Sequence, residues 1–213
     1  MDWTRTIDAY CERVDPSFWA EPINAVTNLA FLIAGFVMWR RTIGLIGGRV
    51  LSVVLFAIGV GSFLFHTFAT GWAAALDTTP ILAFVLIYLF LSNRDFWGLP
   101  WWAALLGTLA YVPYAALITP VFKALPFFEV SSFYWSLPVL IGGYAVLLRR
   151  RTPATARGLA IGAGVLCLSL IARSVDDSLC PALPFGTHFL WHVLNAVMLA
   201  WMIEVWARHV RMN

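Results

Sequence analysis

The last apolar stretch, THFLWHVLNAVMLAWMIEVWA from Thr187 to Ala207, decides the kind of fold. Its length matches the roughly 20 residues a helix needs to cross the hydrocarbon of a bilayer. Its single acidic or basic residue, Glu204, lies near its far end. It nevertheless opens with His188 and His192, whose spacing of four puts both imidazoles on one helix face. Similar stretches recur before it. The hydropathy pattern predicts about seven spans, approximately Pro22–Arg40, Val50–Phe68, Ala73–Leu91, Trp101–Thr119, Ser132–Leu148, Arg157–Ser174 and Thr187–Ala207. Backbone polar groups in lipid must be satisfied within their own segment, so each span is a helix. The expected fold is all-α, one integral membrane seven-helix bundle over residues 1–213, with a polar N-terminal segment at 1–21.

Composition agrees. The chain is 61% hydrophobic and 12% charged, against about 25% charged in a soluble domain. Its 11 Trp suit a chain that meets the membrane interface many times; Trp19, Trp72, Trp101 and Trp102 read as interfacial anchors. The net charge of +3 carries no nucleic-acid reading, because the Arg residues sit between apolar segments and no basic run carries interleaved aromatics. No cleavable signal peptide is expected, since Asp2, Arg5, Asp8, Glu12, Arg13 and Asp15 leave no basic and then apolar start.

Basic residues in short loops predict orientation. With the N-terminus outside, 10 of the 14 basic residues fall inside, among them Arg40, Arg41, Arg49, Arg94, Arg149, Arg150 and Arg151. Arg5, Arg13, Lys123 and Arg173 fall outside. The predicted arrangement is therefore N-terminus outside and C-terminus cytoplasmic.

Ionisable residues inside spans are costly and point to function. Span two ends in GVGSFLFHTF, with Ser62 and His66 one turn apart; span three opens with AALDTTPIL, placing Asp77 in its first turn. With His188 and His192, these groups converge on the outer half of the membrane. Each has an ordinary reading alone: interhelical hydrogen bonding for a His, a helix cap for Asp77, small-residue packing for Ser62. Their joint placement favours a metal. Two His at i and i+4 and a third from another helix form a catalytic zinc set with one position open to water. Zinc brings the pKa of such a water to about 7. Asp77 is then the expected proton acceptor, and Ser62 the expected donor to a substrate carbonyl. His209, between Arg208 and Arg211, reads as a solvated, headgroup-facing residue. Glu204 is expected to reach the interface or pair with an Arg, and Asp176 and Asp177 to cap or solvate their loop. Asn24, Thr27 and Asn28 either line the cavity or hold helices together.

The order GSFLFHTF, LDTTP, HFLWH, with YCERVDPSFWAEPINAVTN at the N-terminus, resembles the alkaline ceramidases. These belong to the CREST superfamily of seven-span membrane hydrolases, related to the adiponectin receptors. The resemblance covers nearly the whole chain. It implies a zinc-dependent amidase with His66, His188 and His192 as zinc ligands, Asp77 handling the water proton and Ser62 assisting at the carbonyl. It also implies a calcium site near the N-terminus, whose matching positions are Glu12, Glu21 and the Tyr10 carbonyl, with Asp15 as a substitute ligand. Here Ala9 and Val14 stand where the pattern has an Asp and an Asn, and Thr78 stands where an acidic residue often follows the motif Asp. Cys11 and Cys180 fall on the oxidising side and match a disulfide of that family, while free thiols are the alternative.

The implied activity is cleavage of a ceramide-like lipid to a long-chain base and a fatty acid, with the substrate entering from the bilayer. A hydrolase of another lipid amide or ester, and a lipid receptor with a structural zinc, are the competing readings. The scarcity of charges deep in the spans counts against a transporter.

Overall fold

The computed structural model describes residues 2–212. It contains seven helices long and apolar enough to cross a membrane: α1 (Pro22–Arg41), α2 (Ile46–Phe68), α3 (Gly71–Asp95), α4 (Trp101–Lys123), α5 (Glu129–Leu148), α6 (Pro153–Ser174) and α7 (His188–Met212). Several extend beyond the purely apolar stretches. α2 starts at Ile46 and takes in Arg49; α3 runs from Gly71 to Asp95; α7 continues through Arg208 and Arg211. Helical hydrogen bonding continues into the interface, where hydropathy no longer marks it.

Consecutive helices pack side by side, and α7 returns to α1, so the bundle closes. α7 also touches α2 and α3, making it the element around which the others gather. Lipid tails are as apolar as Leu side chains, so association in a bilayer depends on close packing and interhelical hydrogen bonds. Close packing is visible where α2 meets α3. A Cβ on Gly61 would collide with the Leu76 carbonyl oxygen and press on the Asp77 amide. Pro80, inside α3, has no N–H to give that carbonyl four residues back. A missing donor and a missing side chain thus bring the two helices together beside Ser62 and Asp77. Asp77 lies well inside α3, whose N-cap is Thr70. The first-turn placement expected from sequence is therefore corrected: the helix starts earlier, at the small residues of GWAAAL.

The two ends of the bundle are tied differently. At the arginine-rich end, Glu204 accepts hydrogen bonds from Arg41 Nη2 at 2.9 Å and Arg208 Nε at 2.7 Å. Trp206 Nε1 donates to Asp95 Oδ2 at 2.7 Å. His209 is buried, not solvated as its neighbours suggested. Its Nδ1 meets Thr155 Oγ1 at 2.9 Å and its Nε2 meets the Asp95 carbonyl at 3.0 Å. The helical period turns His209 inward while Arg208 and Arg211 face out. At the other end, residues 2–21 fold over the helix ends, held by the Cys11–Cys180 disulfide.

Candidate metal centre

α2 ends just after His66 because Ala69 takes a left-handed conformation, φ 45°, and closes the last turn by donating its N–H to the Phe65 carbonyl. Three residues later α3 begins, so His66 stands beside the α3 face that carries Asp77. α7 begins at His188. Its first amides are capped from a distance: Asp176 Oδ1 accepts from Thr187 N at 2.6 Å and His188 N at 2.8 Å. Asp176 Oδ2 accepts from Cys11 N at 3.0 Å. Gly186, at φ 61°, permits this turn, since a Cβ there would strike the Asp176 carboxylate and Cys11. Asp176 is thus the helix cap that the sequence allowed.

The rings of His66, His188 and His192 form a triangle with centroid separations of 5.2, 4.7 and 4.7 Å. One ligand atom from each lies within 4.8 Å of the others. All three side chains are buried, at 2% exposure or less. Their hydrogen bonds fix which nitrogens are available. His66 Nδ1 lies 2.6 Å from Glu21 Oε2. A carboxylate accepts, so Nδ1 carries the proton and Nε2 keeps its lone pair. His192 Nδ1 lies 2.9 Å from Thr27 Oγ1. That hydroxyl is already placed to donate to the carbonyls of Ile23 and Asn24, at 2.8 and 3.0 Å. It therefore accepts from Nδ1–H, leaving His192 Nε2 with a free lone pair.

His192 Nε2 and His188 Nδ1 are buried without any hydrogen-bond partner. Leaving one such group unsatisfied costs about 1–3 kcal/mol. Partnerless buried nitrogens at a three-imidazole cluster fit a metal, and neutral imidazoles suit zinc. The Glu21–His66 and Thr27–His192 pairs match the outer contacts that orient metal-binding histidines. His188 is held by stacking on Tyr10, with centroids 3.6 Å apart.

Beside the triangle, Ser62 and Asp77 lie within hydrogen-bonding contact. Both line a cavity between the helices. Its other walls are mostly apolar, including Phe31, Ile58, Phe84, Leu137 and Met198. Arg173 approaches from α6 and sits against the rings of Tyr10, Tyr134 and Trp191.

The residues expected to bind calcium are spread over other tasks. Glu12 accepts from the amides of Ile23 and Asn24 at 2.7 and 2.8 Å and so caps α1. Burial pushes its carboxyl up, against the pull of those two amides. Glu21 is shared between His66 and Arg13 Nε, the latter at 2.6 Å. Burial would raise its carboxyl, but His66 and Arg13 outweigh this and hold it below the usual range. Asp15 Oδ1 accepts from the Ser17 amide at 2.7 Å. The Tyr10 carbonyl accepts from the Arg13 amide at 3.1 Å. Burial pushes the Tyr10 phenol up, with Arg173 opposing. Among the described residues, the potential metal cluster is His66, His188 and His192.

Of the residues named from sequence, the fold brings His66, His188 and His192 together and sets Ser62 and Asp77 on one cavity wall. Sequence reasoning left the role of Thr27 open and missed Glu21 as the partner of His66, Arg13 as the partner of Glu21, and the Tyr10 ring against His188. Only the Asn-Thr-Asn facing of α1 hinted at any of these.

A family model described as ceramidase matches residues 4–213, essentially the whole chain. No curated protein matches it.

Proposed function

The chain belongs to the ceramidase family, and from that premise we propose that it is a zinc-dependent intramembrane amidase that splits a ceramide-like lipid into a long-chain base and a fatty acid. The observation that carries this reading is the buried three-histidine cluster with partnerless nitrogens, next to Ser62 and Asp77 at the polar side of an otherwise apolar cavity. His66 Nε2, His192 Nε2 and a nitrogen of His188 would hold the zinc. Bound there, zinc supplies Lewis acidity and the means to ionise water near neutral pH. Glu21 and Thr27 fix the tautomers that leave the ligand lone pairs free. The apolar walls take the lipid tails and exclude bulk water. Asp77 accepts the proton that the attacking water loses. The water oxygen bonds to the amide carbon, the C–N bond breaks, and Asp77 returns the proton to the leaving amine. Ser62 donates to the carbonyl oxygen as negative charge builds on it.

Ten of the 14 basic residues fall toward the end opposite the histidines. The site therefore opens toward the outer, periplasmic or lumenal, side. The Arg150→Cys variant should react with an impermeant thiol reagent only after permeabilisation; labelling in intact cells would reverse the topology.

Mass spectrometry of purified protein with matched N-acyl sphingoid bases, other N-acyl lipids and esters tests the activity. Equimolar fatty acid and long-chain base from the sphingoid amide is the expected result. Faster turnover of another lipid class would reassign the substrate. A zinc-loaded protein that releases no fatty acid from any of them would make this a receptor.

A further inference from the structure

Arg13 is an unusual residue to bury beside a metal centre. Its side chain is 3% exposed. Its guanidinium donates from Nε to Glu21 Oε1 at 2.6 Å, from Nη1 to the Asp15 carbonyl at 3.1 Å and from Nη2 to the His66 carbonyl at 3.0 Å. Its own amide takes the Tyr10 carbonyl. Three of the four residues expected to surround calcium therefore give oxygens to Arg13. The fourth, Glu12, has both oxygens on the amides that start α1. Calcium needs six to eight oxygen ligands; here the candidate oxygens face N–H donors, and a fixed positive charge lies among them.

We propose that Arg13 is the internal cation of this segment: its guanidinium fills the place of a divalent ion, holds Glu21 and through it His66, and makes the enzyme independent of calcium. Arg13 is a positioning residue, since it acts on the metal ligand through Glu21 and through the backbone of His66. A planar guanidinium reaches three acceptors in fixed directions, which an ammonium cannot reproduce. A carbonyl in the last turn of a helix also favours a cation beside it. The proposal rests on His66 as a metal ligand, but its calcium half does not.

Two measurements on full-length detergent-purified protein decide it, neither using lipid turnover. In equilibrium dialysis after EGTA treatment, the wild type should take up no stoichiometric calcium at about 1 mM, the weak end of calcium sites. One calcium per chain, lost in Glu21→Gln, would overturn the proposal. Zinc release to a chromogenic chelator should quicken by about 10–100-fold in Arg13→Ala, the usual effect of losing an outer contact to a metal ligand. Arg13→Lys should fall between that variant and the wild type. Release at the wild-type rate in both variants would overturn the positioning role. If Arg13→Ala does not fold, Arg13→Lys and the wild-type dialysis still decide. If the wild type holds no zinc, the zinc reading fails while the calcium arm still reports on Arg13.

Discussion

The two ends of α7 carry the same kinds of side chain and use them differently. At one end lie His188 and His192, with Glu21, Arg13 and Thr27 around the cluster they form with His66. At the other lie His209, Glu204, Arg41, Arg208 and Thr155. The arginine end is closed: both His209 nitrogens have partners, and Glu204 is shared by two guanidiniums. The histidine end is left open: each of His66 and His192 has one nitrogen anchored, and His192 Nε2 and His188 Nδ1 face no protein partner. A buried polar group with its partners in place reads as structure. A buried polar group oriented by its partners yet left with a bare lone pair reads as a site. The contrast comes from hydrogen bonds, because residue types alone are nearly the same at both ends.

The sharpest way to break this contrast is to remove one histidine at each end. His192→Ala should abolish fatty-acid release and bring zinc to background. His209→Asn should keep both and lower only the melting temperature. Equal loss of zinc from the two variants would erase the distinction. Next comes Asp77→Asn, expected to lower turnover by about 10³-fold, within the range for a lost general base, with zinc content unchanged. Retained turnover would remove Asp77 from the proton path. Ser62→Ala should cost about 10²-fold in kcat, the scale of one lost donor to a developing oxyanion; an effect on KM alone would make Ser62 a packing residue. Thr27→Val keeps the shape of the side chain but removes the acceptor for His192 Nδ1–H. Zinc affinity should fall by about 10-fold, and an unchanged affinity would mean that Thr27 does not set the tautomer. The smallest effect belongs to the arginine end. Glu204→Gln weakens three charged hydrogen bonds, from two arginines whose side chains are more than half exposed. It should cost about 1 kcal/mol, seen as a few degrees in melting, with zinc and turnover untouched.

The same contrast explains what the sequence made legible. Spans were readable because lipid enforces a continuous apolar length, and the histidines stood out because charge and polarity are rare there. Ser62 and His66, or His188 and His192, share a helix face by period alone. The contacts of Glu21 with His66 and of Thr27 with His192 cross 45 and 165 residues of chain. No local pattern encodes them. The segment before α1 has neither helical nor strand period, so nothing in it told Glu12, a helix cap, from Glu21, a partner of His66. His209 differs from its sequence expectation for a related reason: its neighbours Arg208 and Arg211 are polar, but the helix turns it to the other face. Asp77 was placed too near the start of its helix because α3 begins among small residues that carry no strong signal.

Everything proposed for the histidine end depends on a metal being held there. Metal analysis of the purified wild type beside His188→Ala tests this most directly, without any assumption about the substrate. About one zinc per chain in the wild type and none above background in His188→Ala is the predicted result. Zinc undiminished in the variant, or a wild type that holds no metal after purification without chelators, would contradict it.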